Sequence, residues 1–409
     1  MFKIKIINDP VHGFIDIPGG IIFDLISHPW FQRLRWIKQL GLTDLVYPGA
    51  LHTRFQHAIG AMHLMKEALQ GLLLKGVRIT DEEFEAAMAA ILLHDIGHGP
   101  FSHALEHDLL EKADHEDISR LVIEKLNTEF KGKLKLALSI FNHTHPKRYL
   151  SQLVSSQLDV DRLDYLSRDS FFTGVNEGKI GTDRILKMLN VVDGELVVEE
   201  KAIYSIENFL SARRLMYWQV YLHKTTIGVE QMLAQIIRRA KDLARRGKLE
   251  TSNKNIEGFL KREISVDEFK KDESLFNSFL QLDDHDIWSI IKEWRYAADP
   301  VLRELSNMML GRKLFNVTLS NSPITYPVVH KILRLISEAY HIGRKEAGFL
   351  VAEGVSSNAA YIAKGTSIHV LMKSGKILDI AEAVDLPNIK AMSKIVKKYY
   401  LCWPKSVSL

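Results

Sequence analysis

Apolar residues recur at three- and four-residue steps through FQHAIGAMHLMKEALQGLLLKG, a spacing that predicts a helix over 55–76 stopping at Gly76. TDEEFEAAMAAILLHDIGHG predicts a second helix over 80–99. Thr80 can cap it, acids fill its first turn, and Glu83 stands at the capping-box position. Gly97 and Gly99 mark its end. A third long helical region is expected over 203–247. VVDGELVVEE (191–200) reads as a short hairpin turning at Asp193-Gly194. Beyond residue 310 the pattern shortens. LFNVTLS, IHVLMKSGKILDI and KIVKKYYLCW read as strands, mixed with a helix near 327–342. The chain is therefore expected to be mainly α, a large helical body with a smaller α+β C-terminal part. These shifts suggest segments at 1–44, 45–190, 191–310 and 311–409, with neither internal repeats nor low-complexity stretches.

Composition narrows the class without naming a function. The 409 residues are 46% hydrophobic and 25% charged, as in an ordinary soluble globular protein. The longest apolar run, AAMAAILL (86–93), is too short to span a bilayer. MFKIKIINDP lacks the apolar stretch of a signal peptide, so a cytoplasmic location is expected. Cys402 is the single cysteine, which excludes an intrachain disulfide and a Cys-based zinc site. A net charge of +4 is too mild to announce a nucleic-acid binder. The basic stretch 234–248, AQIIRRAKDLARRGK, reads first as the solvated face of an amphipathic helix, so nucleic acid is allowed but not implied.

Histidine changes the picture. Eight of 17 histidines fall between His52 and His115. His94-Asp95 follows an apolar helical run that should be buried, and a buried imidazole and carboxylate need partners or a metal. Such ligands suit iron, manganese, zinc or nickel. Adjacent helical residues point about 100° apart, so other helices must complete the sphere. His57 on the preceding helix and Asp161 in SQLDVDRLDYLSRD are the candidates. Asp159, Asp161, Asp164 and Asp169 interleave there with Leu158, Val160, Leu163, Tyr165 and Leu166, so they cannot all be merely solvated.

His57…His94-Asp95…Asp161 resembles the pattern of HD-domain metal-dependent phosphohydrolases. INDPVHGFI, FQRLRWIKQLG, YPGALHTRFQHAIG, HDIGHGPFSH, DHE and DVDRLDYLSRD extend the resemblance, in order, to the deoxynucleoside triphosphate triphosphohydrolases over roughly residues 3–230. The resemblance implies a helical HD-domain core, one transition ion held by His57, His94, Asp95 and Asp161, and Mg²⁺ with the triphosphate. It implies that Arg54 contacts the α-phosphate side, and that Arg162 (where the animal enzyme usually has lysine), Tyr165 and Arg213 grip the phosphates. Gln39, Leu40, Asp169 and Tyr221 would surround a deoxyribose, with Tyr221 crowding C2′. Tyr217 replaces a histidine of the animal enzyme.

In the implied reaction a water attacks the α-phosphorus, so that the nucleoside 5′-oxygen leaves and triphosphate stays whole. An alkoxide leaving group calls for a general acid. His103 is the candidate, with Glu106 holding its ring, while His98 and His115 bind phosphate oxygens. Gly97 and Gly99 would let backbone approach phosphate, and Pro100 and Phe101 would start the next helix. A nucleotidase or cyclic-nucleotide phosphodiesterase would need no γ-phosphate grip, and a nucleic-acid-binding module would need no metal. The resemblance also implies a homo-oligomer with an activating nucleotide held by Lys5, Asn8, Gln32, Arg35, Arg184 and Lys224. Ser27 stands where an aspartate reads guanine and Glu199 where an arginine binds phosphate, so that activation should not require GTP.

Overall fold

The computed structural model describes residues 5–111, 113–358, 367–383 and 396–408. The helix predicted over 55–76 forms as Arg54–Leu74, opened by a capping box between Thr53 and Gln56. Most of its positions are buried, because it packs against both Asp81–Leu93 and Val160–Thr173. Thr80 and Glu83 cap Asp81–Leu93 reciprocally, as the sequence suggests. Ile91, Leu92 and Leu93 are fully buried, and each contributes about 1.5–3 kcal/mol to holding the end of that helix in place.

The helix ends at Leu93, six residues before the expected stop at Gly99. The reason lies on His115–Glu129, where the Ser119 hydroxyl donates to the His94 carbonyl (2.7 Å) and accepts from the Gly97 amide (2.9 Å). Those two backbone groups are no longer free to continue the helix. A Cβ at Gly97 would overlap the His115 carbonyl and the Ser119 amide, while one at Gly99 would crowd the Phe279 ring. Both glycines are therefore required by close packing against protein. Pro100 and Phe101 do not start a helix either. Phe101 lies in the left-handed region at φ 55°, followed by a short turn at Ser102–Ala104.

The region 203–247 is not one helix. Ile203–Met216 runs into a wider turn, Tyr217–Tyr221, closed by Leu222 N–H donating to the Tyr217 carbonyl at 2.7 Å. Lys224–Arg245 then starts afresh, with the His223 side chain accepting from Thr225 N–H.

Among the described residues, three small sheets flank the helices. Lys5–Asp9 and Gly13–Ile17 form an N-terminal hairpin. The hairpin expected at 191–200 forms as Leu189–Val192 and Glu195–Glu199, with both turn residues, Asp193 and Gly194, at positive φ. Glu195–Glu199 continues through a parallel pairing with His369–Leu371, which pairs in turn with Ile377–Asp379. Asn316–Ser320, Val396–Trp403 and Ala352–Asn358 make the third sheet, packed on Lys224–Arg245, and the helix expected near 327–342 forms as Tyr326–Tyr340. The first two residues of KIVKKYYLCW lie outside the described residues.

Candidate active site

Three helical segments, Arg54–Leu74, the end of Asp81–Leu93 and Val160–Thr173, bring their side chains together at His57. Its Nδ1 faces Asp164 Oδ2 at 2.8 Å, and its Nε2 lies 3.4 Å from His94 Nε2 and 3.1 Å from Asp161 Oδ1. His94 Nδ1 sits 2.6 Å from the Ile91 carbonyl, which can only accept, so Nδ1 carries the proton and the Nε2 lone pair faces the cluster. Asp161 Oδ1 is 3.5 Å from His94 Nε2. Asp95 completes the group, with Oδ1 3.2 Å from His94 Nε2 and Oδ2 3.8 Å from His57 Nε2. That Oδ2 also accepts from the Arg54 guanidinium. His57, His94 and Asp161 thus present nitrogen and oxygen donors within 4.8 Å of one another, a set suited to a divalent ion, and Asp95, the fourth residue read from the sequence, lies against both imidazoles. Burial opposes charge on His57, yet its hydrogen bonds to Asp161 and Asp164 raise it to about 10. Burial opposes charge on Asp161 too, but the two imidazoles hold it below the usual carboxylate range.

A second group of imidazoles lies beside the first. Buried His98 stacks on His115 with centroids 3.9 Å apart, and His103 meets His115 edge-on at 5.1 Å. Glu106 lies 2.9 Å from Nδ1 of both His103 and His115. It therefore orients two rings rather than the one expected, and leaves each Nε2 free of it. Burial, with Arg54 and His115 nearby, keeps His98 well below its ordinary value. His115 is raised despite burial, because Glu106 and Asp95 favour its charge. Glu106 itself is lowered, burial being outweighed by its two histidine partners.

Both groups border a cavity of about 460 Å³. Its lining includes Gln39, Leu40, Arg54, Arg162, Tyr165, Asp169, Tyr217 and Tyr221 from the sequence reading, along with Asp95, His98, His103, His115 and Asp161. Arg213 is not in that wall; it is buried and donates to Gln157 at 3.2 Å. Tyr221 donates to Asp169 Oδ2 at 2.7 Å, and its ring meets Tyr217 at 5.0 Å across the wide turn. Arg162 Nε bonds the Ser156 carbonyl at 2.7 Å. Among the six residues assigned to an activating nucleotide, one hydrogen bond within the described residues joins Arg35 to Gln32, at 2.8 Å. Lys5 lies over the Phe23 ring, Asn8 is exposed on the hairpin, Arg184 donates to the Lys201 carbonyl, and Lys224 is exposed at a helix start.

Several supporting residues escaped the sequence reading. Buried His52 lies 2.7 Å from Asp169 Oδ1 and stacks on Phe172. Arg33 donates to the carbonyls of Ile96 (2.9 Å) and His98 (2.8 Å), fixing the loop between them. Asp284 accepts from the amides of Phe101 (2.6 Å) and Lys38 (2.9 Å), which holds the left-handed residue in place. Helical spacing was the available signal for one of the sets: Asp161, Asp164, Tyr165, Arg168 and Asp169 fall at i, i+3, i+4, i+7 and i+8 of a single face.

The HD domain family matches residues 54–169, and the HD associated region matches residues 180–254. An uncharacterized protein, YwfO of Bacillus subtilis, is 30% identical over 98% of this chain and 93% of its own length. The crystal structure of a phosphohydrolase from Bacteroides thetaiotaomicron matches with TM-score 0.95 at 51% identity, over 98% of this chain and 100% of that one. The chain belongs to the HD-domain phosphohydrolase family. The deoxynucleoside triphosphate triphosphohydrolase SAMHD1 homolog of Dictyostelium discoideum is 34% identical over 56% of this HD-domain chain, which spans 48% of that relative. Among the described residues, no helix of this HD-domain protein is long and apolar enough to cross a membrane.

Proposed function

We propose that this HD-domain phosphohydrolase cleaves deoxynucleoside triphosphates into deoxynucleoside and inorganic triphosphate. The observation that carries the reading is a single cavity wall holding both the chemistry and the sugar contacts. Asp95 and Asp161 line it together with Gln39, Leu40, Asp169 and Tyr221. A divalent transition ion (iron, manganese, zinc or nickel) held by His57, His94, Asp95 and Asp161 would supply Lewis acidity toward a phosphoryl oxygen. Mg²⁺ would accompany the triphosphate as its counter-ion.

The chain's own residues divide the remaining work. Arg54 is fixed by Ser102 (2.7 Å) and Asp95, so its guanidinium meets an α-phosphate without rearranging. Arg162 and Tyr165 take the outer phosphates, and Arg213 acts as a buried positive charge behind them. His98 and His115 hold phosphate oxygens. His103, oriented through Nδ1 by Glu106, gives a proton to the departing 5′-oxygen. Asp169, held on both oxygens by His52 and Tyr221, accepts from a 3′-hydroxyl, and Tyr221 leaves no room for a 2′-hydroxyl. A homo-oligomer whose nucleotide activation does not require GTP belongs to the same proposal. Glu199 pairs with Lys75 at 2.6 Å, an acid already matched rather than a receptor for phosphate.

Each dNTP incubated with purified protein and Mg²⁺ or Mn²⁺ should give deoxynucleoside and triphosphate as first products by ion-exchange chromatography. Deoxynucleoside monophosphate with pyrophosphate would reject the assignment.

Glu230 also lines the cavity, and burial pushes its carboxyl up to about 7. A polyanionic substrate binds best while this acid is protonated, so KM should rise as pH climbs through that value, by up to roughly tenfold. Glu230→Gln should flatten the rise. A KM–pH profile unchanged by the substitution would show that the acid does not face the substrate.

A further inference from the structure

The motif INDPVHG lies outside the cavity, yet it reaches the metal-type cluster from behind. Asp9, at the end of the first hairpin strand, shapes the turn: its Oδ1 accepts from the amides of Val11 (2.9 Å) and His12 (3.0 Å). Its Oδ2 takes Arg168 Nη1 at 2.8 Å. The turn thereby aims His12 Nε2 at Asp164 Oδ1, 2.7 Å away across 152 residues of chain. Arg168 holds the same carboxylate through Nε and Nη2, both at 2.9 Å. Asp164 Oδ2, in turn, bonds His57 Nδ1 at 2.8 Å. Asp164 and Arg168 are fully buried. Space for them is made on the His57 helix by Gly60, where a Cβ would overlap both groups.

We propose that Asp9 and His12 are positioning residues for the His57 ligand, acting through Asp164. The proposal rests on the reading of His57 as a metal ligand. An imidazole bound only through Nε2 can turn about its side-chain axes, and the Nδ1 contact to a fixed carboxylate stops that turning. Arg168 holds both oxygens of Asp164, and His12 adds a second contact on Oδ1 from a different chain segment. Without His12 the carboxylate rests on the Arg168 side chain, itself anchored by Asp9, and a shift of that pair carries His57 Nε2 away from the point it shares with His94 and Asp161. The N-terminal hairpin thus sets the geometry of a site built from distant helices.

The test compares metal affinity, by chelator competition, and the visible spectrum of Co²⁺-loaded protein, which reports ligand geometry. His12→Ala should weaken Co²⁺ binding by ~10–100-fold and change the Co²⁺ bands. His12→Gln, whose amide can donate from nearly the same place, should restore most of the affinity. Asp9→Asn keeps the turn's acceptor but removes the charge facing Arg168, and should give a smaller loss. Lys66→Ala removes only the exposed contact of the hairpin's Asp16, at 3.6 Å, and should leave both readouts unchanged. If His12→Ala does not fold, Asp9→Asn still decides the matter through the same two measurements. Wild-type affinity and bands in folded His12→Ala and Asp9→Asn would overturn the proposal. Retention of metal by Asp161→Ala would instead overturn the ligand assignment beneath it.

Discussion

Asp161→Ala should remain folded, lose its bound metal, and turn over at least ~10³-fold more slowly, since Lewis-acid stabilisation is worth several kcal/mol and each ~1.4 kcal/mol is a factor of ten. Asp161 Oδ1 reaches both imidazoles with one oxygen, 3.1 Å from His57 Nε2 and 3.5 Å from His94 Nε2. Asp95, the other carboxylate, already shares an oxygen with Arg54. Removing Asp161 therefore leaves two nitrogens and one partly committed carboxylate, too few to hold an ion against water. The fold has little reason to suffer. The side chain is 25% exposed, and the cap of its helix is Asp159, which accepts from Arg162 N–H at 2.7 Å. Asp159 is itself raised to about 6, chiefly by burial and in part by the neighbouring Asp161 charge, so the substitution relieves a repulsion. Elemental analysis beside a thermal melt checks both halves. Unchanged metal content would remove Asp161 from the ligand set.

The helical body was legible because its periodicity is strong and its caps are local. Thr80 and Glu83 sit three residues apart in sequence and bond each other in space. The early stop at Leu93 was not legible, since its cause, the Ser119 hydroxyl, lies 25 residues from His94. The break between Met216 and Lys224 was hidden for a different reason. YWQVY has no glycine or proline, and its wide turn follows from tertiary packing rather than from a breaker. Metal-type residues could be named because their chemistry is unusual for a buried helix. Their supports could not: Asp9, Arg33, His52 and Asp284 look like ordinary polar residues until the fold brings them against the site. Arg213 shows the opposite limit, since a motif position supplied a residue type without placing it in the wall.

His103→Gln should lower kcat by ~10²–10⁴-fold while changing KM little, the signature of an acid used mainly in the transition state. The geometry favours His103 over its two neighbours for this task. His98 is buried and held neutral by burial, Arg54 and His115, so it has no ready proton to give. His115 keeps its charge beside Glu106 and Asp95, which suits holding phosphate more than releasing a proton. His103 is tethered at Nδ1 by Glu106 yet 67% exposed, so solvent can reload its proton after each turnover. A triphosphate ester of a nitrophenol tests the role directly, because its phenolate departs without protonation. On that substrate His103→Gln should lose far less activity than on a dNTP, whereas His115→Gln should raise KM on both. Equal losses on the two substrates would move His103 from proton donor to phosphate contact. Glu106→Gln should then separate the readings further: it loosens both rings at once, and combines the kcat loss with the KM rise.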